Sequence, residues 1–168
     1  MPESVVLRNK RDGQILLADS GASHTYTVAY EPGDFNYAVP DTVVTLTLDR
    51  GTIGTTPSIR YADEQPMTGG FSAYLRDLGD TANAYATLVD IAHRYVSRYV
   101  AANWTSTMGS SSDVFTITIQ LTIDGSFAGE ADKTVTFPFC NFMANVTEGD
   151  PNTVACTFTS FAVRPTLA

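Results

Sequence analysis

The chain has 168 residues, with 18 acidic against 10 basic side chains and a net charge of −8. That length suits one domain with a real core, and the acidic balance excludes ordinary DNA binding, in which Lys and Arg displace the counterions of phosphate. Only 17% of the residues are charged while 43% are hydrophobic, so much of the surface is expected to be covered by other protein.

Residues 1–13 are polar and hold Arg8, Lys10 and Arg11, three of the ten basic residues, and they read as a possibly flexible N-terminal arm. No apolar run is long enough to span a membrane and no secretory leader pattern opens the chain, so cytosolic synthesis without membrane contact is expected. The first strands are expected at residues 14–18 and 23–31, joined by the turn residues Asp19-Ser20-Gly21. In the second, Tyr26, Val28 and Tyr30 share one face. Pro32-Gly33-Asp34 breaks it, because Pro cannot donate to a ladder and Gly accepts turn dihedrals.

Residues 42–49 alternate strongly, with Val44, Leu46 and Leu48 opposite Val43, Thr45 and Thr47. From 52 to 68 the periodicity fades, and Gly54, Pro57, Pro66 and the charged group Arg60, Asp63 and Glu64 suggest a long irregular connection. Residues 71–75 resume a strand.

The only long helical pattern runs over residues 81–103. Tyr85, Leu88, Val89, Ala92, Tyr95, Val96, Tyr99 and Val100 fall at three-and-four spacing on one face, Asn83, Thr87, Asp90, Arg94, Ser97 and Arg98 largely on the other, and Asp80 is placed to cap the start. Such an apolar face must lie on a sheet, on another subunit, or between the two. After it, residues 105–112 form a Ser/Thr/Gly loop, and residues 113–124 the cleanest strand, with Phe115, Ile117, Ile119, Leu121 and Ile123 alternating with Thr116, Thr118, Gln120 and Thr122. Residues 133–147 and 152–164 complete the pattern as a hairpin turning at Glu148-Gly149-Asp150-Pro151. The total is a mainly β (α+β) chain: an antiparallel sandwich or barrel of about eight strands with one packed helix, in a single domain over residues 1–168.

Catalytic chemistry has little to stand on. His93 with Asp90 and Arg94 is the most catalytic-looking trio, but no nucleophile motif or oxyanion loop accompanies it, and neighbours at this spacing on a polar helix face are commonly solvated pairs. His24 lacks a metal-ligand spacing, and two His with two Cys scattered over the chain give no zinc signature. No cofactor is expected. Cys140 and Cys156 lie on the two arms of the last hairpin with an offset of about three positions, roughly 10 Å along the strand, too far for a disulfide. They read as buried thiols. Trp104, beside the Ser-rich loop, is the one aromatic placed to suggest ligand binding.

Three stretches carry a resemblance: Tyr30-Glu31-Pro32-Gly33-Asp34, then Leu46-Thr47-Leu48-Asp49-Arg50-Gly51, then Arg60-Tyr61-Ala62-Asp63-Glu64-Gln65-Pro66 followed by Phe71-Ser72. With the order of strands, one helix and closing strands, the chain resembles the major tail tube proteins of long-tailed bacteriophages, relatives of contractile-tail and type VI secretion tubes. The resemblance implies a non-enzymatic virion protein, made and assembled in the host cytoplasm. Its subunits would close into hexameric rings stacked as a hollow tube, around a tape measure protein during assembly and around genomic DNA, passing without specific binding, during ejection. An acidic channel wall would repel phosphates, and Asp124, Glu130 and Asp132 are the lumen candidates, the alternative being that they are solvated loop acids. Arg50, Arg60, Asp63, Glu64, Asp90, Arg94 and Arg98 are candidates for contacts between subunits. The competing class is a non-catalytic β-sandwich binding module, such as a carbohydrate-binding domain or a tail-tip adhesin.

Overall fold

The computed structural model describes residues 13–29, 34–40, 44–50, 55–61, 64–75, 87–93, 104–109, 114–125 and 131–168, with the backbone alone described at 44–50, 55–61 and 93. Its long central strand, Lys133–Thr147, lies where a strand was expected. In chain order the strands are β1 (Gly13–Ala18), β2 (Thr25–Val28), β3 (Asn36–Ala38), β4 (Val44–Arg50), β5 (Thr55–Tyr61), β6 (Met67–Tyr74), β7 (Ile117–Ile123), β8 (Lys133–Thr147), β9 (Thr153–Ser160) and β10 (Thr166–Leu167), with the helix α1 (Leu88–His93) between β6 and β7. Eight of them form one antiparallel sheet in the order β2-β1-β7-β8-β9-β6-β3, with β10 also on β8, while β4 and β5 pair separately. The mainly β architecture with one short helix is therefore present.

β8 links the two limbs of this sheet. Its first half pairs with β7 (Leu121↔Val135) and β10 (Leu167↔Val135), and its second half pairs with β9 from Cys140↔Ser160 to Thr147↔Thr153. Between the halves the β7 register slips, Ile117 facing Cys140 but Ile119 facing Phe137. The extra residue makes a bulge in which Phe139 takes φ 54°, and a bulge bends and twists the strand that carries it. Ser160 Oγ donates to Pro138 O at 2.5 Å, and the Phe161 amide donates to Phe139 O at 3.2 Å, so β9 holds the bulge in place. Inward residues of both limbs then bury one core, including Ile15, Leu17, Ile119, Phe71, Phe142 and Val154. Its aromatic centre is Phe137, with ring centroids 5.3 Å from Phe158 and 5.9 Å from Phe35. Offset and tilted rings at these separations add to the burial of their area.

Several expectations change. Residues 52–68 were expected to be irregular, but Thr55–Tyr61 pairs with Val44–Arg50 over seven positions, Pro57 opposite Leu48. In a two-stranded ribbon each strand has an open edge, so a proline without an N–H does not break the ladder. β3 carries no strong alternation and is held by Gly69 and Gly70 of β6: a Cβ on Gly69 would collide with the Phe158 ring and come within 2.6 Å of Asn36 O. The strand expected over 152–164 is β9, which ends at Ser160, and residues 161–165 cross to the short β10. Thr116, expected on an outer hydroxyl face, is fully buried, its hydroxyl meeting Thr107 Oγ1 at 2.7 Å and accepting from the Met108 amide at 3.1 Å.

The described helix is Leu88–His93; 81–86 and 94–103, with Asp80, Arg94 and Arg98, lie outside the described residues. Its start is a reciprocal capping box: the Asp90 amide donates to Thr87 Oγ1 at 3.3 Å, and the Thr87 amide donates to Asp90 Oδ2 at 3.2 Å. This arrangement satisfies two first-turn amides at once. Leu88, Val89 and Ala92 are buried as the periodicity requires, and α1 rests mainly on β8. Asp90 was expected to face outward, yet its residue is only 5% exposed, because its carboxylate is taken up by the cap, including a 2.8 Å bond from the Thr87 hydroxyl.

Candidate interaction surface

Within the eight strands of the main sheet the only charged residue is Lys133, at the very start of β8. Outward positions carry hydroxyls, amides and an occasional large apolar group: Thr68, Asn141, Asn145 and Thr157 are joined by Met143, which is 58% exposed. A sheet that faces water on one side ordinarily carries charge there. Apart from the buried Asp19 and Asp90 and the charges of the β4–β5 ribbon, the other described charges sit at strand ends and turns: Asp34, Glu64, Asp124, Asp132, Glu148, Asp150 and Arg164. Copies that repel one another through their net charge can therefore approach closely over the sheet surfaces.

Two short strands end the two limbs, and each has one hydrogen-bonded neighbour among the described strands: β3 on β6, and β10 on β8. Between them lies a groove of ≈ 370 Å³ lined by Val39, Pro40, Glu64, Val163, Arg164 and Leu167, among others. Leu167 is 72% and Val163 46% exposed. Neither Glu64 nor Arg164 takes part in an ion pair with another described residue. Open strand edges beside an apolar groove are the features by which extended protein segments are received.

The sequence-predicted residues are distributed as follows. Glu64 is exposed and lines this groove. Arg50 ends β4 and Arg60 lies in β5, in the separate ribbon. Asp124 follows β7 and is half-buried, while Asp132 precedes β8 and accepts the Gly125 amide at 3.0 Å, so it closes the β7–β8 connection. Glu130 and Asp63 lie outside the described residues, as do Arg94 and Arg98. Asp90 belongs to the interior of its own subunit. Arg164 and the apolar groove walls were not foreseen, since they come from segments far apart in the chain and no local pattern joins them.

His24 is paired with Asp19. Asp19 is 3% exposed and accepts from the His24 amide and from His24 Nδ1, both at 2.9 Å, and from the Thr105 amide and hydroxyl, both at 3.2 Å. Burial raises the Asp19 pKa, but the hydrogen bonds from His24 and Thr105 outweigh it, and the net displacement is below the usual 3.8. The carboxylate thereby fastens the β1–β2 turn, where Gly21 takes φ 79°, to a segment 86 residues away. Trp104 stacks on His24 with a 27° interplanar angle and is buried, so the aromatic expected to suggest a ligand site is part of the core. Among the described residues, no serine, threonine or cysteine hydrogen-bonds the His24 ring, and no metal-ligating cluster of His, Cys, Asp or Glu occurs. Cys140 and Cys156 are free and buried, opposite Ser160 and Ala144, and burial pushes both thiols up to about 12.

These elements define a mainly antiparallel β fold whose main sheet carries one charged residue, Lys133. No family model matches the chain, and no curated protein does either. Among solved structures, a chain of the anti-feeding prophage baseplate, solved with 6-fold symmetry, is similar over 100% of this chain and 97% of its own length, at a TM-score of 0.51 and 5% identity. A chain from the sheath/tube terminator of an extracellular contractile injection system, in its extended state, aligns at a TM-score of 0.49 and 10% identity, over the same shares. The first likeness establishes a shared fold.

Proposed function

We propose that this chain is a structural subunit of a phage-tail-like injection particle, and within it the subunit that closes into six-membered rings stacked as a hollow tube. One observation above the others supports the reading: the fold follows, nearly end to end, that of a chain in a six-fold symmetric baseplate. The molecule's physics is compatible with it. Its main sheet is almost free of charge, β2, β3 and β10 each have one neighbour among the described strands, and Asp124, Asp132, Glu148 and Asp150 lie at turns, as suits subunits that pair edge to edge. In such a tube a tape measure protein would occupy the channel during assembly and the genome during ejection. Asp124, Glu130 and Asp132 would present negative charge to phosphate, so that DNA passes without adhering.

Negative-stain electron microscopy of the concentrated protein, with and without a seed of baseplate, tests this. Six-membered rings or hollow tubes are the expected product. Strict monomers under every concentration, salt and seeding condition would refute the proposal. The binding-module alternative loses the feature it rested on, because Trp104 is inside the core.

A further inference from the structure

We infer that the groove between β3 and β10 receives the β8–β9 turn of a second copy of this chain, making a head-to-tail contact that rests on the assembly reading above. The groove supplies apolar walls from Val39, Val163 and Leu167 and one cation, Arg164. The turn supplies the complement. Glu148 and Asp150 are exposed at its tip, Val146 is exposed on the strand leading into it, and the Gly149 amide donates to Asn152 Oδ1 at 2.9 Å, so the loop is shaped before it docks. Preorganisation of this kind lowers the ordering cost of association.

A subunit cannot fill its own groove. The turn lies beyond the pair Thr147↔Thr153, while Arg164 and Glu64 lie beyond the opposite ends of β9 and β6, where Met67 faces Ser160. Seven residues of β9 at about 3.3 Å each separate the two ends by roughly 23 Å. The contact is therefore between molecules, and it joins different patches on the two partners. Heterologous contacts of that type propagate, closing into rings or extending as stacks. Charge selects the partner: in a chain of net charge −8, Arg164 lines the groove beside Val39, Val163 and Leu167 with no ion pair to another described residue, and an acidic loop flanked by Val146 and Pro151 fits it. Glu64, which lines the same groove, repels the same carboxylates and so holds the turn to the Arg164 side.

The test uses the full chain under conditions where the wild-type protein assembles. Arg164→Glu should lower the assembled fraction at fixed concentration by about tenfold or more, while the monomer's circular dichroism and Tm stay unchanged. Combining it with Glu148→Arg and Asp150→Arg should restore assembly. Val146→Cys together with Val163→Cys should give a ladder of disulfide-linked oligomers on mild oxidation, and neither single variant should extend beyond dimers. The buried native thiols stay out of that reaction. Wild-type-like assembly of Arg164→Glu, or particles that form without a ladder, overturns this contact and leaves the ring reading standing. A wild-type chain that never assembles overturns both.

Discussion

Asp19→Ala removes one side chain and four hydrogen bonds, and its cost is open to calculation. The carboxylate is buried and accepts two bonds from His24 and two from Thr105, at 2.9–3.2 Å. Hydrogen bonds to a charged group contribute about 1.5–3 kcal/mol each. The donors on the exposed Thr105 and on the partly exposed His24 can return to water, which reduces the loss to about 2–4 kcal/mol in total. For a chain of this length each kcal/mol lowers Tm by about 2–4 °C, giving an expected drop of roughly 5–15 °C at pH 7, measured by thermal unfolding. The pH dependence gives an independent check. Because the Asp19 pKa is lowered on folding, its contribution is fully present above the usual 3.8 and is lost as pH falls through the folded value. The gap in Tm between wild type and Asp19→Ala should therefore narrow in strong acid. A drop below 2 °C at neutral pH, or a gap that does not change with acid, would refute the view that this carboxylate ties the β1–β2 turn to Thr105.

Three further outcomes follow from the packing. Gly69→Ala should destabilise by about 1–3 kcal/mol, because its Cβ meets the Phe158 ring and Asn36 O, and amide exchange should quicken first at Asn36–Ala38; unchanged exchange there would show that β3 accommodates the methyl. Thr87→Ala breaks the capping box and should cost about 1–3 kcal/mol, whereas Thr87→Ser should restore most of it, and equal Tm values for the two would argue against the cap. Cys140 and Cys156, with thiols pushed up to about 12, should resist an aromatic disulfide reagent at pH 8 in the native protein and react after denaturation; prompt labelling of the folded chain would contradict their burial.

Some of this molecule was legible in local sequence. Strands were expected over 133–147 and 152–164, and β8 and β9 form there; within β8 the inward positions Val135 and Phe137 are followed by Cys140, Phe142 and Ala144, because the bulge at Phe139 shifts the period of two by one residue. The hairpin between them followed from Gly149 and Pro151, and the spacing of the two cysteines placed them out of bonding range. The same local signals failed where neighbours overrode them. β5 was hidden by Pro57, which is harmless on an open ribbon edge. Asp90 was read as a surface charge, since periodicity registers which face a residue occupies but not that Thr87 satisfies its carboxylate. Trp104, beside the Ser-rich loop, suggested ligand binding, whereas His24, 80 positions earlier, stacks on it within the core.

The sequence by itself determined the fold class, the buried thiols and the low charge of the strands, because each depends on residue type and on near neighbours. Only the tertiary structure decided which edges stay open, that residues 39, 64 and 164 share one groove, and that this groove lies far from the acidic turn of the same subunit. Those properties depend on strand order and on the bend at Phe139, and a chain folded in a different order from the same strands would keep its periodicity and lose the groove.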